Sequence, residues 1–125
     1  MMKKNALLVL TILFLSFFLS GCNQPAKIDF AEVLSKSEKE FKESGIECVS
    51  AFDGKLVKFR LLLEEQPTDE EATKYFEKIL DTIATYSNNP DTWDFYNAEF
   101  DLVYEEIVIY EGKKEAGKDL KVNEI

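Results

Sequence analysis

Two kinds of hydrophobic spacing recur along the chain from residue 28 onward, one with the period of a helix and one with the alternation of strands. Phe30, Val33, Leu34 and Phe41 form a narrow apolar stripe among Lys36, Glu38, Lys39, Glu40, Lys42 and Glu43, the pattern of a surface helix with one buried side. Asp29 with Glu32 three residues on reads as a capping box, Ile28 and Val33 as the hydrophobic staple around it, and Gly45 as a stop. The spacing predicts a helix over residues 30 to 44. Next, Asp53-Gly54 lies between two alternating stretches, which is the signal for a two-residue hairpin turn with positive φ at both positions. That turn sets Ile46 against Leu61, Cys48 against Phe59 and Ser50 against Val57 on an apolar side. Glu47 then faces Arg60, and Val49 faces Lys58, on a mixed and charged side. Cys48 is expected inside.

The second half repeats the order. Thr68 and Glu71 form another capping box, with Asp69 and Glu70 in the first turn where the helix dipole favours acids. Ala72, Tyr75, Phe76, Ile79, Leu80, Ile83 and Ala84 then keep the helical period without a miss, until Ser87-Asn88-Asn89-Pro90 breaks it. Extended structure is expected from about residue 93 to 102, where Tyr96, Ala98, Phe100 and Leu102 alternate with Asn97, Glu99 and Asp101, and again from 106 to 111. No turn signature joins these two strands. Residues 112 to 125 are polar and read as peripheral, with room for a short strand around 120 to 122. Helix, hairpin, helix, hairpin makes two αββ units of roughly 40 to 45 residues. The expected fold is α+β, one antiparallel sheet with both helices on one face, occupying residues 28–125.

The first 22 residues have a different character. Lys3 and Lys4 precede an uncharged apolar run from Ala6 to Phe18, broken only by Thr11 and Ser16, which is the layout of an export signal and is short for a membrane span of about 20 residues. The run ends in Leu19-Ser20-Gly21-Cys22. This motif resembles the lipobox of bacterial lipoprotein precursors, and the resemblance covers the signal alone. It implies cleavage before Cys22, leaving residues 1–21 as signal peptide, and a thioether-linked diacylglyceryl group on the Cys22 thiol. Residues 22–27 then form the lipidated cysteine and a short tether, and the chain is held on the extracytoplasmic face of the cell membrane. Two acyl chains suffice for stable anchoring, at about 0.8 kcal/mol per buried methylene.

Composition narrows the chemistry. The chain has no histidine, 24 acidic and 15 basic side chains, and a formal charge of −9. Without an imidazole there is no Ser/His/Asp triad, no Cys/His dyad and no His-based zinc site, so catalysis would rest on carboxylates, Lys or Tyr. Two of the basic groups, Lys3 and Lys4, leave with the signal, which takes the formal charge to −11. Such a surface repels nucleic acid and other polyanions and suits basic or neutral protein surfaces. Once Cys22 is lipidated, Cys48 is the one remaining thiol and closes no intramolecular disulfide. The acidic groups Glu64-Glu65, Asp69-Glu70-Glu71, Asp91, Asp94, Glu99 and Asp101 carry no Ca²⁺-loop or glycosidase signature. No metal or cofactor is implied.

The remaining feature is aromatic density. Tyr86, Trp93, Phe95, Tyr96, Phe100, Tyr104 and Tyr110 fall within 25 residues. In strand alternation Trp93 and Phe95 oppose Tyr96 and Phe100, which puts aromatics on both sides of a sheet that helices cover once. Exposed Tyr and Trp among acids are the composition of a protein-recognition surface. Trp93, Phe95, Tyr96, Tyr104 and Tyr110 are therefore the candidate partner-binding residues, with coverage of that face by the C-terminal segment or a second copy as the alternative. The expectation is a non-enzymatic, membrane-anchored interaction module with a membrane-proximal protein partner. Small acidic lipoproteins of this kind resemble those by which mobile elements exclude a second copy, and the αββ layout is similar to inhibitor lipoproteins. A small-ligand binder or accessory subunit of an envelope complex is the alternative, and a carboxylate hydrolase a third.

Overall fold

The structure, a computed structural model, describes residues 28–125. The residues read as signal peptide, lipidated Cys22 and tether, 1–27, lie outside the described residues. Helix α1 spans Phe30–Glu43, followed by strands β1 (Glu47–Asp53) and β2 (Leu56–Leu63); helix α2 spans Asp69–Ser87, a short helix α3 Thr92–Phe95, and strands β3 (Asn97–Tyr104), β4 (Ile107–Lys114) and β5 (Lys121–Glu124) complete the chain. The fold is α+β, a five-stranded sheet in the order β1-β2-β3-β4-β5.

Both helices start where the capping chemistry places them. The Asp29 carboxylate accepts from the Glu32 backbone N–H at 3.3 Å, and Thr68 and Glu71 form the complete reciprocal box, satisfying donors that have no partner within the helix. Helix α2 buries Ala72, Phe76, Ile79, Leu80 and Ile83. The rings of Phe76, Phe100 and Phe59 stack in succession, with centroids 4.6 and 5.0 Å apart, so the helix, the third strand and the second share one aromatic column. Each such contact adds about 0.5–1.5 kcal/mol beyond area burial. Gly112 on β4 leaves room for the column: a Cβ there would lie 2.8 Å from the Phe76 ring and 3.1 Å from that of Phe100. Helix α1 is tied to the edge strand by Glu38, whose Oε1 accepts from the Ser50 N–H at 3.0 Å and from the Ser50 hydroxyl. An edge donor that would otherwise be open to another strand is thereby occupied.

The sheet is mixed, where an all-antiparallel sheet was expected: β2 and β3 pair in parallel. The reason lies in the connection between them. Helix α2, with 19 residues, is about 28 Å long at 1.5 Å per residue, enough to carry the chain back along the whole of β2 before β3 begins, and such a crossover yields a parallel pair. The first hairpin also differs in register by two residues. Cys48 lies opposite Leu61, Ser50 opposite Phe59 and Phe52 opposite Val57, with Asp53 and Leu56 closing the ladder. The loop is Gly54-Lys55, and positive φ occurs at Gly54 but not at Lys55, the pattern of a turn with Gly at its first central position. A slip of two preserves every side chain's face, so Cys48 is inside as expected, while the Glu47/Arg60 pair is replaced by an Arg60–Asp101 ion pair of 3.1 Å.

The second hairpin turns through Glu105 and Glu106, both with positive φ. Beyond it Ile109 is an extra residue, since Leu102 pairs with Tyr110 and Val103 with Val108. The tail is integral to the sheet, because β4 continues to Lys114 and β5 adds an edge strand.

Candidate functional site

The aromatics singled out by composition divide among three environments. Residues 92–95 are helical, and the strand expected from Trp93 starts only at Asn97, because local polar bonds bend the chain first. The Asn89 side chain accepts from the Asp91 N–H, and the buried Thr92 hydroxyl donates to the Asn89 carbonyl at 2.6 Å. Trp93 consequently turns inward and donates its indole N–H to the Leu80 carbonyl at 2.8 Å. Tyr110 is also buried, with its hydroxyl 2.6 Å from Asp69 Oδ1. Neither belongs to a binding surface. Tyr96 is half-buried and Phe95 exposed; they sit at the end of the sheet marked by the Gly54 turn, where the Asn97 N–H donates to the Lys55 carbonyl. Tyr104 is half-buried at the opposite end, beside the Glu105 turn. The charge of the Glu105 carboxylate and a hydrogen bond to it, then burial, then the charge of Glu65, push the Tyr104 phenol upward in pKa.

Aromatics therefore do not line both sheet faces. The helix-covered face holds Cys48, Val57, Phe59, Leu61, Ala98, Phe100, Leu102 and Tyr110. The thiol of Cys48 is pushed up to about 12, first by burial and then by the charge of Glu38, so it remains a protonated core side chain rather than a nucleophile.

The other face carries no helix and is organised in two zones, which follow from the strand registers. Near its middle, Lys58 lies beside Glu99 and Glu99 beside Lys113, while Arg60 lies beside Asp101 and Asp101 beside Glu111. Open clefts of about 310 and 290 Å³ run along these rows, one bordered by Val49, Arg60 and Asp101 and the other by Asp101, Glu111 and Lys113. Toward the Glu105 end the rows become apolar. Leu62 lies beside Val103, and Val103 beside Val108. Val49 and Leu62 leave 56% and 37% of their surface exposed, while the exposed Ile107 pairs with Tyr104 and so belongs to the other side of the sheet, at its Glu105 end. Exposed carboxylates surround this zone: Glu47 opposite Leu62, Glu64 and Glu65 beyond Leu63, and Glu105 and Glu106 in the turn before Ile107.

An apolar centre ringed by charge is the layout of a protein-contact patch. Val49 was legible as an outward residue from strand alternation. Leu62, Val103 and Val108 were not singled out, because their association depends on the parallel register of β2 and β3 and on the register of a hairpin that turns through two glutamates. Among the described residues, no group of three or more Cys, Asp or Glu side chains is placed to hold a metal ion, and no helix is long and apolar enough to cross a membrane. Comparison of the chain with models of protein families and with curated proteins finds no match.

Proposed function

We propose that the chain is a membrane-anchored, extracytoplasmic interaction module, held by a lipid on Cys22, whose helix-free sheet face binds a membrane-proximal protein. The observation that carries this reading is the patch of Val49, Leu62, Val103 and Val108, which is apolar at its centre and bordered by five carboxylates. Val49 and Leu62 are exposed and Val103 and Val108 half-buried, although the fold has a filled core on its other face. The complementary surface is an apolar knob or ridge with a basic rim, in keeping with the overall acidity of the chain. The clefts on this face are open and bordered by charged side chains, whereas small-molecule sites are mostly enclosed and apolar, which favours a protein partner over a small ligand. An exclusion, immunity or inhibitor role requires recognition and no turnover, and fits an anchored module of this kind.

The test is substitution on a face where no core is disturbed. Leu62→Asp, or Glu105→Lys combined with Glu106→Lys, should leave the far-ultraviolet spectrum and unfolding midpoint close to those of the parent. Each should reduce crosslinking of the protein to its envelope partner in intact cells several-fold. A partner retained at full yield by both variants would place the binding surface elsewhere.

A further inference from the structure

We propose that the Gly54 end of the domain, through Phe52, Phe95 and Tyr96, rests on the surface of the phospholipid bilayer, so that anchor and aromatic contact together fix how the domain stands on the membrane. This rests on the reading of Cys22 as the lipidated residue. Ile28, the first described residue, lies six positions after Cys22, and at 3.3–3.6 Å per residue that span reaches about 20 Å at most. The part of the domain where the chain enters is therefore held near the headgroups.

That part is the Gly54 end. Phe30, the first residue of α1, stacks on Phe52 at 4.5 Å and meets the edge of Tyr96 at 4.7 Å, and Phe52 lies 6.3 Å from Tyr96. The cluster continues to the surface, since Phe52 and Phe95 are each 42% exposed. Aromatic side chains, Tyr with its polar tip in particular, favour the zone between hydrocarbon and water. Asp29, Asp53, Asp91 and Asp94 are exposed around them, with Lys55 as a neighbouring cation. These acids keep the contact at headgroup depth and make it stronger on zwitterionic than on anionic lipid.

The strands then run outward from the membrane. At about 3.3 Å per residue, β2 from Leu56 to Leu63 lifts the patch of Leu62, Val103 and Val108 roughly 20 Å above the contact, with its apolar centre turned sideways toward neighbouring membrane proteins.

The test uses the full chain, processed and lipidated in bacterial membranes, then reconstituted into phosphatidylcholine vesicles. A cysteine at Phe52→Cys, Phe95→Cys or Ile107→Cys carries an environment-sensitive nitrobenzoxadiazole label, the buried Cys48 being unreactive in the folded chain. Labels at 52 and 95 should emit further to the blue than the label at 107 and be quenched several-fold more by spin-labelled lipid. Because Phe52 also packs on Phe30, position 95 carries the result if the Phe52 variant is unstable. Equal, water-like emission from positions 95 and 107, with the protein floating with the vesicles, would overturn the contact while leaving the anchor in place. Protein that does not float with the vesicles would refute the anchor, and the contact with it.

Discussion

The hydroxyl of Tyr110 on β4 donates to Oδ1 of Asp69, the first residue of α2, at 2.6 Å. It joins the capped start of the helix to a strand laid down 41 residues later. The bond to Asp69, then burial, then the charges of Asp69, Glu124 and Glu71 push the phenol up to about 12 from 10. The folded state thus favours the neutral phenol, and the stabilisation it contributes is fully present below pH 10 and lost as pH rises from 10 through about 12. In denaturant unfolding, Tyr110→Phe should be less stable than the parent at neutral pH, and the gap should narrow across that window. A constant gap at all pH values would mean that the bond does not form.

Gly112→Ala should destabilise the domain by about 1–3 kcal/mol, the cost of overpacking a filled core. The added methyl meets the Phe76 and Phe100 rings, which are themselves stacked and have nowhere to retreat. Thermal unfolding of the variant reads this directly, and an unchanged midpoint would mean that the aromatic column is looser than its geometry.

The two hairpin turns should respond in opposite directions. At Gly54 φ is +62° and a Cβ would meet nothing, so Gly54→Val costs only torsional strain, about 1–2 kcal/mol. Glu105 and Glu106 already bear that strain, with φ of 50° and 66°. Replacing the pair by Asn-Gly, the preferred residues for two positive φ angles, should stabilise by about 1 kcal/mol through relief of that strain. Denaturant titration of both variants distinguishes this from a hairpin turning elsewhere.

Cys22→Ala should abolish incorporation of radiolabelled fatty acid and leave the signal uncleaved. Lipid incorporation that persists in this variant would sink the anchor reading.

Local chemistry was readable in the sequence and long-range geometry was not. Helix α2 was legible because its apolar period and the Thr68/Glu71 box agree. In the first hairpin, strand alternation identified the face of every residue, but Asp-Gly is compatible with two placements of the loop, and the placement adopted moved each partner by two. The parallel pairing of β2 and β3 depends on how far a helix carries the chain back, and no local pattern encodes it. Trp93 shows the limit most clearly. It continues the alternation of Phe95, yet the bonds made by Asn89 and Thr92 coil the chain there, and the ring enters the core. The patch at the Glu105 end escaped notice because Leu62, Val103 and Val108 come from three strands and meet only through non-local register.

The most direct test of the central claim is site-specific photo-crosslinking in living cells from Val103 and Val49 on the open face, with Lys78 on the exposed side of α2 as control. The account predicts one membrane-associated protein joined from both open-face positions, absent from Lys78 and lost when Leu62→Asp is added. Equal adducts from all three positions, or adducts from Lys78 alone, would contradict it.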